Sequence, residues 1–590
     1  MEPYMNRRLS PLAAGIALSA IVSGASGALA ATPSTLITQS FGGDIPAAVF
    51  RGGATVNAGA NYLSSIPATD AAGLVATLTP PATDVGKEAD YYMVINAGDA
   101  WYMRTPTGWA NWDTRVPNLV PFATKALAAT DSIAIPDLEA STGVDFSGKT
   151  LRVHVGYQTD TSPLVYSSAI QFAISAAPGN LCPTDGGAPL AAIPGGKPVC
   201  VLSGNYTRDV HLTSNFDYVL SGGVFIGGDN VDSAALTIDG GTTIYGEKGL
   251  DFLVINRGSK IHVNGSASKP VTMTSANDAT ADENTSGQWG GLIINGNAPI
   301  NGCNPGTPVC EAEGEGGTGR YGGNNPADNS GNLNYLVVKY AGYLITPTNE
   351  LNGIAFQGVG NGTVVDYVQV HNNADDGVEF FGGTVNAKHL FLTGNEDDSL
   401  DWTFGWTGKV QHVVIQQRDI ADKAIEADNN GTNRDSLPRA QPQIANLTII
   451  GHPDAGGGIL LREGTGANFA NAIVTGADKF CFSIDHDQTF ANAGSSASAL
   501  SGKLTVTNSV ANCALNFKDD ASDLFRVTDW FSSQPGNSTA SVDMTTYINS
   551  APANARKAAT LSDPFFDTVS HIGAVKDAAN DWTAGWTFKP

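Results

Sequence analysis

The chain has 590 residues and a formal charge of −24, from 32 Lys and Arg against 56 Asp and Glu. Nothing in that balance supplies the positive charge that releases counterions from DNA or RNA, which excludes nucleic acid as a partner. Only 15% of residues are charged, 68 are Gly and 42% are hydrophobic, a mixture that argues against disorder and against a long helical or coiled-coil protein.

Residues 1–30 have the form of a signal peptide. Arg7 and Arg8 precede the apolar run Leu12 to Val22, and Ala28-Leu29-Ala30 supplies small residues for cleavage. No Cys follows to take a lipid, and no later stretch reaches the ~18 apolar residues of a membrane-spanning helix. The expectation is an exported protein, periplasmic, outer-surface or extracellular, with no transmembrane segment in the mature chain. Its six cysteines fall into three sequence-local pairs, Cys182 with Cys200, Cys303 with Cys310 and Cys481 with Cys513, which fits disulfides in an oxidising compartment.

Residues 35–177 alternate with period two, at Tyr92 and Val94, at Leu151, Val153, Val155 and Tyr157, and at Ile170, Phe172 and Ile174. Such alternation, broken by turns, predicts an immunoglobulin- or fibronectin-like β-sandwich, with Trp101, Trp109 and Trp112 as candidate core anchors. Residues 178–199 read as a linker.

From 200 to 515 a different rule holds. Short apolar strands recur near every 23 residues. From Ile354 they step to Val378, Leu400, Ile425, Ile459 and Phe482 by 24, 22, 25, 34 and 23 residues. Leu292 begins that column; Ile294, Phe356, Phe380, Trp402, Ala427, Leu461 and Ile484 form another two residues on, and both point inward. A second strand per repeat, beginning at Tyr367, His389, His412, Asn446 and Asn471, keeps the same register. Two strands moving together at this period predict a parallel β-helix, in which a coil cannot bury its apolar face alone. Residues 516–590, with Phe565, Phe566, Trp582 and Trp586, are expected to cap it.

The stretches Gln288 to Ile300 (QWGGLIINGNAPI), Glu315 to Gly323 (EGGTGRYGG), Asp375 to Leu390 (DDGVEFFGGTVNAKHL) and Asp581 to Thr587 (DWTAGWT) resemble a group of exported bacterial proteins with a pectate-lyase-like right-handed β-helix, most of them without an assigned activity. The resemblance implies that all-β fold and an envelope location, and no particular reaction.

The residues between the two inward columns are expected to face solvent, and on three successive coils they are Glu379, Asp401 and Glu426. The preceding turns add Asp375, Asp376, Asp397 and Asp398, and the next outward column adds Asp428, Arg462 and Asp485. With coils ~4.8 Å apart, two such carboxylates repel by about 3 kcal/mol at an effective dielectric near 20. Protonation, pairing with Arg462 or Lys423, or a bound cation must relieve this, and dense hard oxygens suit calcium. A glycosidase would use Glu379, Asp401 or Glu426 as its acid and base. A polysaccharide lyase would bind calcium at Asp375, Asp376, Asp397 and Asp398 and use Arg462 as base.

Other signals read as structural. Gly314-x-Gly316-x-x-Gly319 reads as a turn-rich loop, and His389 and His412, continued by Asn446, Asn471 and Asn508, read as a side-chain ladder. Asp485-His486-Asp487 has the composition of a metal site but alternates faces. Phe381, Phe391 and Trp406 are candidate sugar-stacking aromatics. The leading functional reading is an exported β-helix that binds a glycan or an envelope protein through its repetitive walls. The alternative is a carbohydrate-active enzyme, a glycoside hydrolase before a polysaccharide lyase, using the carboxylate ladder.

Overall fold

The computed structural model describes residues 33–41, 47–56, 71–98, 100–144, 149–174, 199–304, 307–346 and 349–589, with short pieces at 62–63, 65–66, 146 and 197. Residues 1–30, where a signal peptide is expected, Cys182 and nearly all of 178–198 lie outside them.

Two largely antiparallel sheets, of five and nine strands, enclose the N-terminal core. Strands Glu88–Ala97 and Thr150–Thr159 pair with Ile95 opposite Val153, and their alternation sends Tyr91, Met93, Ile95, Leu151, Val153 and Tyr157 into the interior. Of the three tryptophans, all half-buried, only Trp109 packs against this core, and Trp101 and Trp112 do not anchor it. Phe50, Phe146 and Phe172 fill that role instead. Part of the far face of the nine-stranded sheet is also covered, where it touches the second module. Arg152 lies 4.6 Å over the Phe252 ring, and Thr150 Oγ1 donates to the Gly223 carbonyl at 3.4 Å.

The second module is a parallel β-helix, one sheet of 25 strands running from Val199–Tyr206 to Phe517–Lys518. Both inward columns stack in the register set by the repeat: Leu292, Ile354, Val378, Leu400, Ile425, Ile459 and Phe482 are vertical neighbours, as are Ile294, Phe356, Phe380, Trp402, Ala427, Leu461 and Ile484. Each fully buried aliphatic side chain contributes roughly 1.5–3 kcal/mol, and only stacking of coils buries it.

The second strand of each coil bends at one residue with left-handed backbone. Tyr335, Tyr367, His389, His412, Asn446, Asn471 and Asn508 all have φ between 49° and 63°, a region in which Asn and His are enriched. Their side chains stack, Tyr335 on Tyr367 at 4.3 Å, Tyr367 on His389 at 4.2 Å and His389 on His412 at 4.8 Å. The ladder expected from His389 onward is present, and it begins two coils earlier with tyrosines.

The end of the core is closed by the helix Val527–Ser532, whose Trp530 and Phe531 pack on Phe482 and Phe517. The chain then returns along the ladder. Asn508 Nδ2 donates to the Lys557 carbonyl, Asn471 to Ala559, Asn446 to His571 and Gly573, and Gln369 Nε2 to Phe588. Disulfides join Cys303 to Cys310 and Cys481 to Cys513. Cys200 is disulfide-bonded as well, its expected partner lying outside the described residues.

Candidate functional site: an acidic pocket on the β-helix

Strand alternation places Glu379, Asp401 and Glu426 on the outer face, directly above one another. They do not face open solvent. Glu379 is 8% and Glu426 7% exposed, because the long insertions between Asn295 and Ile354 fold back over this face. Ile300, Tyr321 and Leu351 cover Ile293 and Ala355, the apolar members of the same outward column. Beside that lid the column turns acidic and lines a cavity of about 280 Å³.

The turns before the strands supply the rest. Asp376 Oδ1 accepts from the Asp398 amide at 3.0 Å and Asp398 Oδ1 from the Lys423 amide at 2.8 Å, so each aspartate ties its turn to the next coil. Asp375, Asp397 and Asp422 stack beside them and also line the cavity. Asp422 was legible in the repeat, since it stands 25 residues after Asp397 as Ile425 stands 25 after Leu400. Two further acids arrive on the lid and escape a column reading, Glu315 from the short turn Glu315–Gly317 and Glu350 from the strand Asn349–Leu351. Glu315 belongs to the loop EGGTGRYGG, whose composition marked it only as a turn; that turn needs Gly316, with φ of 63°.

Burial, and then the charge of neighbouring acids, disfavours ionisation. Glu315 is pushed up to about 8 by burial and by Glu350, and Asp375 to about 8 by burial, Glu315, Glu350 and Asp397. Burial and the adjoining carboxylates hold Asp376, Glu379, Asp398 and Asp401 well above the usual carboxylate range. Two cations border the cavity. Lys423 Nζ lies 3.1 Å from Glu426 and also pairs with Asp422; Arg462 pairs with Glu426 and, at 2.9 Å, with Asp428. Burial works against the Arg462 charge, but Asp428 and Glu426 hold it more firmly protonated than a free guanidinium, so Arg462 is a counter-ion and not the base a lyase needs.

Of the other candidate ligands, Asp428 stands outside the cavity lining against Arg462. Asp485 stands apart as well, 3.7 Å from Lys518. His486 Nδ1 accepts from the Glu463 amide, and no metal cluster forms with Asp485 among the described residues. The proposed sugar-stacking aromatics are buried: Trp406 stacks on Phe380 at 3.9 Å, Phe381 lies against Tyr321, and Phe391 against Tyr547.

Four triads bring carboxylate oxygens within 4.8 Å of one another: Asp375–Asp376–Asp397, Asp376–Glu379–Asp401, Asp397–Asp398–Asp422 and Asp398–Asp401–Glu426. The donors are all hard oxygens, with neither His nor Cys in the lining, which fits calcium or magnesium and not zinc. Asp401 Oδ1 is shut off from solvent and has no hydrogen-bond partner, as is Oδ1 of Asn352, whose Nδ2 donates to Glu379 at 2.7 Å. Asp401 can therefore offer this oxygen to a divalent ion without first giving up another bond to it.

No curated protein matches the sequence. Among solved structures, the chain is similar to the catalytic unit of a thermostable GH87 alpha-1,3-glucanase from Streptomyces thermodiastaticus strain HF3-3, at 12% identity over 86% of this chain and 97% of that one, with a TM-score of 0.22. It is also similar to the catalytic domain of a GH87 alpha-1,3-glucanase variant in complex with tetrasaccharides, at 10% identity over 86% of this chain and 100% of that one, with a TM-score of 0.18. Neither likeness bears on the chemistry of this chain. The family model for the pectate-lyase like beta helix domain matches residues 204–587. That match, over a chain whose coils stack in a single parallel sheet, makes the protein a member of the pectate-lyase-like beta helix domain family.

Proposed function

We propose that this is an exported β-helix protein of the cell envelope whose acidic pocket holds divalent cations, calcium first, and whose walls bind a glycan or an envelope partner. The observation that carries the cation reading is the make-up of the pocket: stacked carboxylates, mostly buried or half-buried with Asp397 exposed at the edge, and two cations already paired to acids at its rim. Such a cavity attracts a metal ion more strongly than a sugar, which needs an apolar wall. Calcium accepts six to eight oxygens in irregular geometry and is plentiful outside cells. The signal-like segment 1–30 and the disulfides support export.

One observation favours a hydrolase as the second reading. Glu379 and Asp401 are adjacent carboxyls held protonated by burial, as a general acid must be. Thermal unfolding of the purified chain in calcium and in chelator separates the two. Cation binding to the native state raises the melting temperature with calcium concentration. Identical melting in both conditions removes the cation and leaves proton sharing, hence hydrolysis, to be tested by reducing-sugar release from polysaccharides.

A further inference from the structure

The outer face of the nine-stranded sheet does not meet the β-helix flush. Between them lies a cleft of about 1030 Å³, at the upper end of the roughly 300–1,000 Å³ of small-ligand sites. One wall is the sheet, where alternation brings Tyr92, Trp101, His154 and Tyr166 to the same side; Asn96 pairs with Trp101, and Gly156 pairs with both Tyr92 and Tyr166. The facing wall is the turn around Glu313 and Glu315, and Glu315 also lines the acidic pocket.

The aromatic rings form a continuous series. Trp101 lies 5.7 Å from Trp112 in a T-shaped pair and stacks with His154 at 6.2 Å, and His154 meets Tyr166 at 6.5 Å. All four residues are half-buried, which in a sandwich sheet is an outward and not a core arrangement. At the floor Arg152 is 6% exposed. Its hydrogen bonds go to neutral oxygens of Gln171, Gly317 and Asn96 at 3.2–3.4 Å, and Nη2 has no partner. Leaving a buried guanidinium so loosely bonded is costly. Opposite it stands Glu313, whose carboxyl burial pushes up to about 7.

Aromatic faces, a guanidinium and carboxyl groups converging on one cleft offer stacking surface together with paired donors and acceptors. A pyranose ring needs both, presenting C–H groups on its face and hydroxyls on its edge. We propose that the cleft between the sandwich and the β-helix is a binding site for a neutral oligosaccharide, stacked on Trp101 and Trp112 and hydrogen-bonded by Arg152 and Glu313. An acidic saccharide is disfavoured by the chain's charge of −24, and by Glu313 and Glu315 once they ionise. The proposal shares with the function above only the glycan class. The calcium titration tests the pocket and the saccharide titration tests the cleft, so either can fail alone.

The test is titration of the full chain with hexaoses of β-1,4-, β-1,3- and α-1,4-linked glucose, and with hexagalacturonate as the acidic comparator, followed by tryptophan fluorescence and calorimetry. At least one neutral hexaose should bind and perturb tryptophan emission. The double substitution Trp101→Ala, Trp112→Ala should weaken it by about tenfold or more, at an unchanged melting temperature, whereas Trp101→Phe should keep most of the affinity. No binding of any neutral hexaose, equal binding by the double variant, or tighter binding of hexagalacturonate would each overturn the proposal. If the double variant melts early, Trp112→Ala alone decides: unchanged affinity in that variant overturns the proposal.

Discussion

Asp401 belongs to two of the four carboxylate triads and has an oxygen without a partner, so its charge is the one the pocket most needs balanced. Asp401→Asn removes a carboxyl that burial and its neighbours make hard to ionise, and with it a ligand. In chelator the variant should melt at or above the wild-type temperature, and the rise on adding calcium should fall by about half or more from the ~2.7 kcal/mol that a ligand at a hundred times its dissociation constant supplies. An undiminished calcium shift in the variant would sink the assignment of Asp401 as a ligand. His412 allows a different residue-scale test. It is buried under the returning tail with Nδ1 unbonded, and burial together with the nearby His389 lowers it to about 3. A histidine depressed in the folded state is neutral there while the unfolded chain binds a proton near 6.5, so stability is complete above that pH and falls as the pH drops below it. Between pH 7 and 5 the cost is roughly 2 kcal/mol. His412→Asn, which copies the residue one coil on at Asn446, should lose less stability over that interval, measured in saturating calcium; equal acid sensitivity would count against it. The ladder was legible as such where its residues are His and Asn; Tyr367 was placed in the register without being read as a member and Tyr335 was missed, because what unites the column is a left-handed backbone and not a shared side-chain chemistry.

Elements that repeat were readable residue by residue, whereas of those that occur once the sandwich and the C-terminal cover were readable only as segments and the insertions not at all. The columns through Val378, Leu400 and Ile425 follow from the spacing of apolar residues, since each coil must bury the same face against the next. The insertions between Asn295 and Ile354 obey no such rule. They turn an outer face into a covered one and bury Ile293, Ala355 and Phe381 with Ile300 and Tyr321, which is why the acid ladder sits in a cavity and not on an open wall. Trp406 was ambiguous for the same reason: an aromatic after a turn can cover the turn or meet a ligand, and here it fills the core against Phe380 and Trp402. The C-terminal segment runs beside the coils, placing Trp582 5.1 Å from His389 and Trp586 5.5 Å from Tyr335. Deleting residues 560–590 therefore uncovers Val414 and Phe391 and strips partners from Gln369, Gln411 and Asn446. The truncated chain should bind hydrophobic dyes and aggregate on size-exclusion chromatography. A monodisperse truncation melting with the wild type would show that the segment contributes nothing to the coils it covers.

At the scale of the whole molecule, an excess of negative charge is concentrated where it is least solvated, and this ties calcium to pH. Glu315 and Asp375 titrate near 8 in the folded, cation-free protein, against about 4 when unfolded, and Asp376, Glu379, Asp398 and Asp401 shift in the same direction. Through that window the folded state holds protons that the unfolded chain has released, so stability falls as the pH rises from about 5 toward 8. His371 and His412, both lowered to about 3, and His154 and His571, lowered by burial as well, act in the opposite sense below 6.5, but they are four groups against six. In chelator the melting temperature should therefore be higher near pH 5 than near pH 8. On the proposed reading a bound calcium would replace those protons, because a coordinating carboxylate must be ionised. Saturating calcium should thus stabilise far more at pH 8 than at pH 5, leave the histidines to set a mild loss of stability on acidification, and release protons on binding in weakly buffered solution near neutrality. Melting curves at pH 5, 6, 7 and 8 with calcium or chelator, together with a pH-stat calcium titration, measure all three effects. A chelated protein that melts earlier at pH 5 than at pH 8, or calcium binding without proton release, would mean that the pocket carboxylates are already ionised and balanced within the fold.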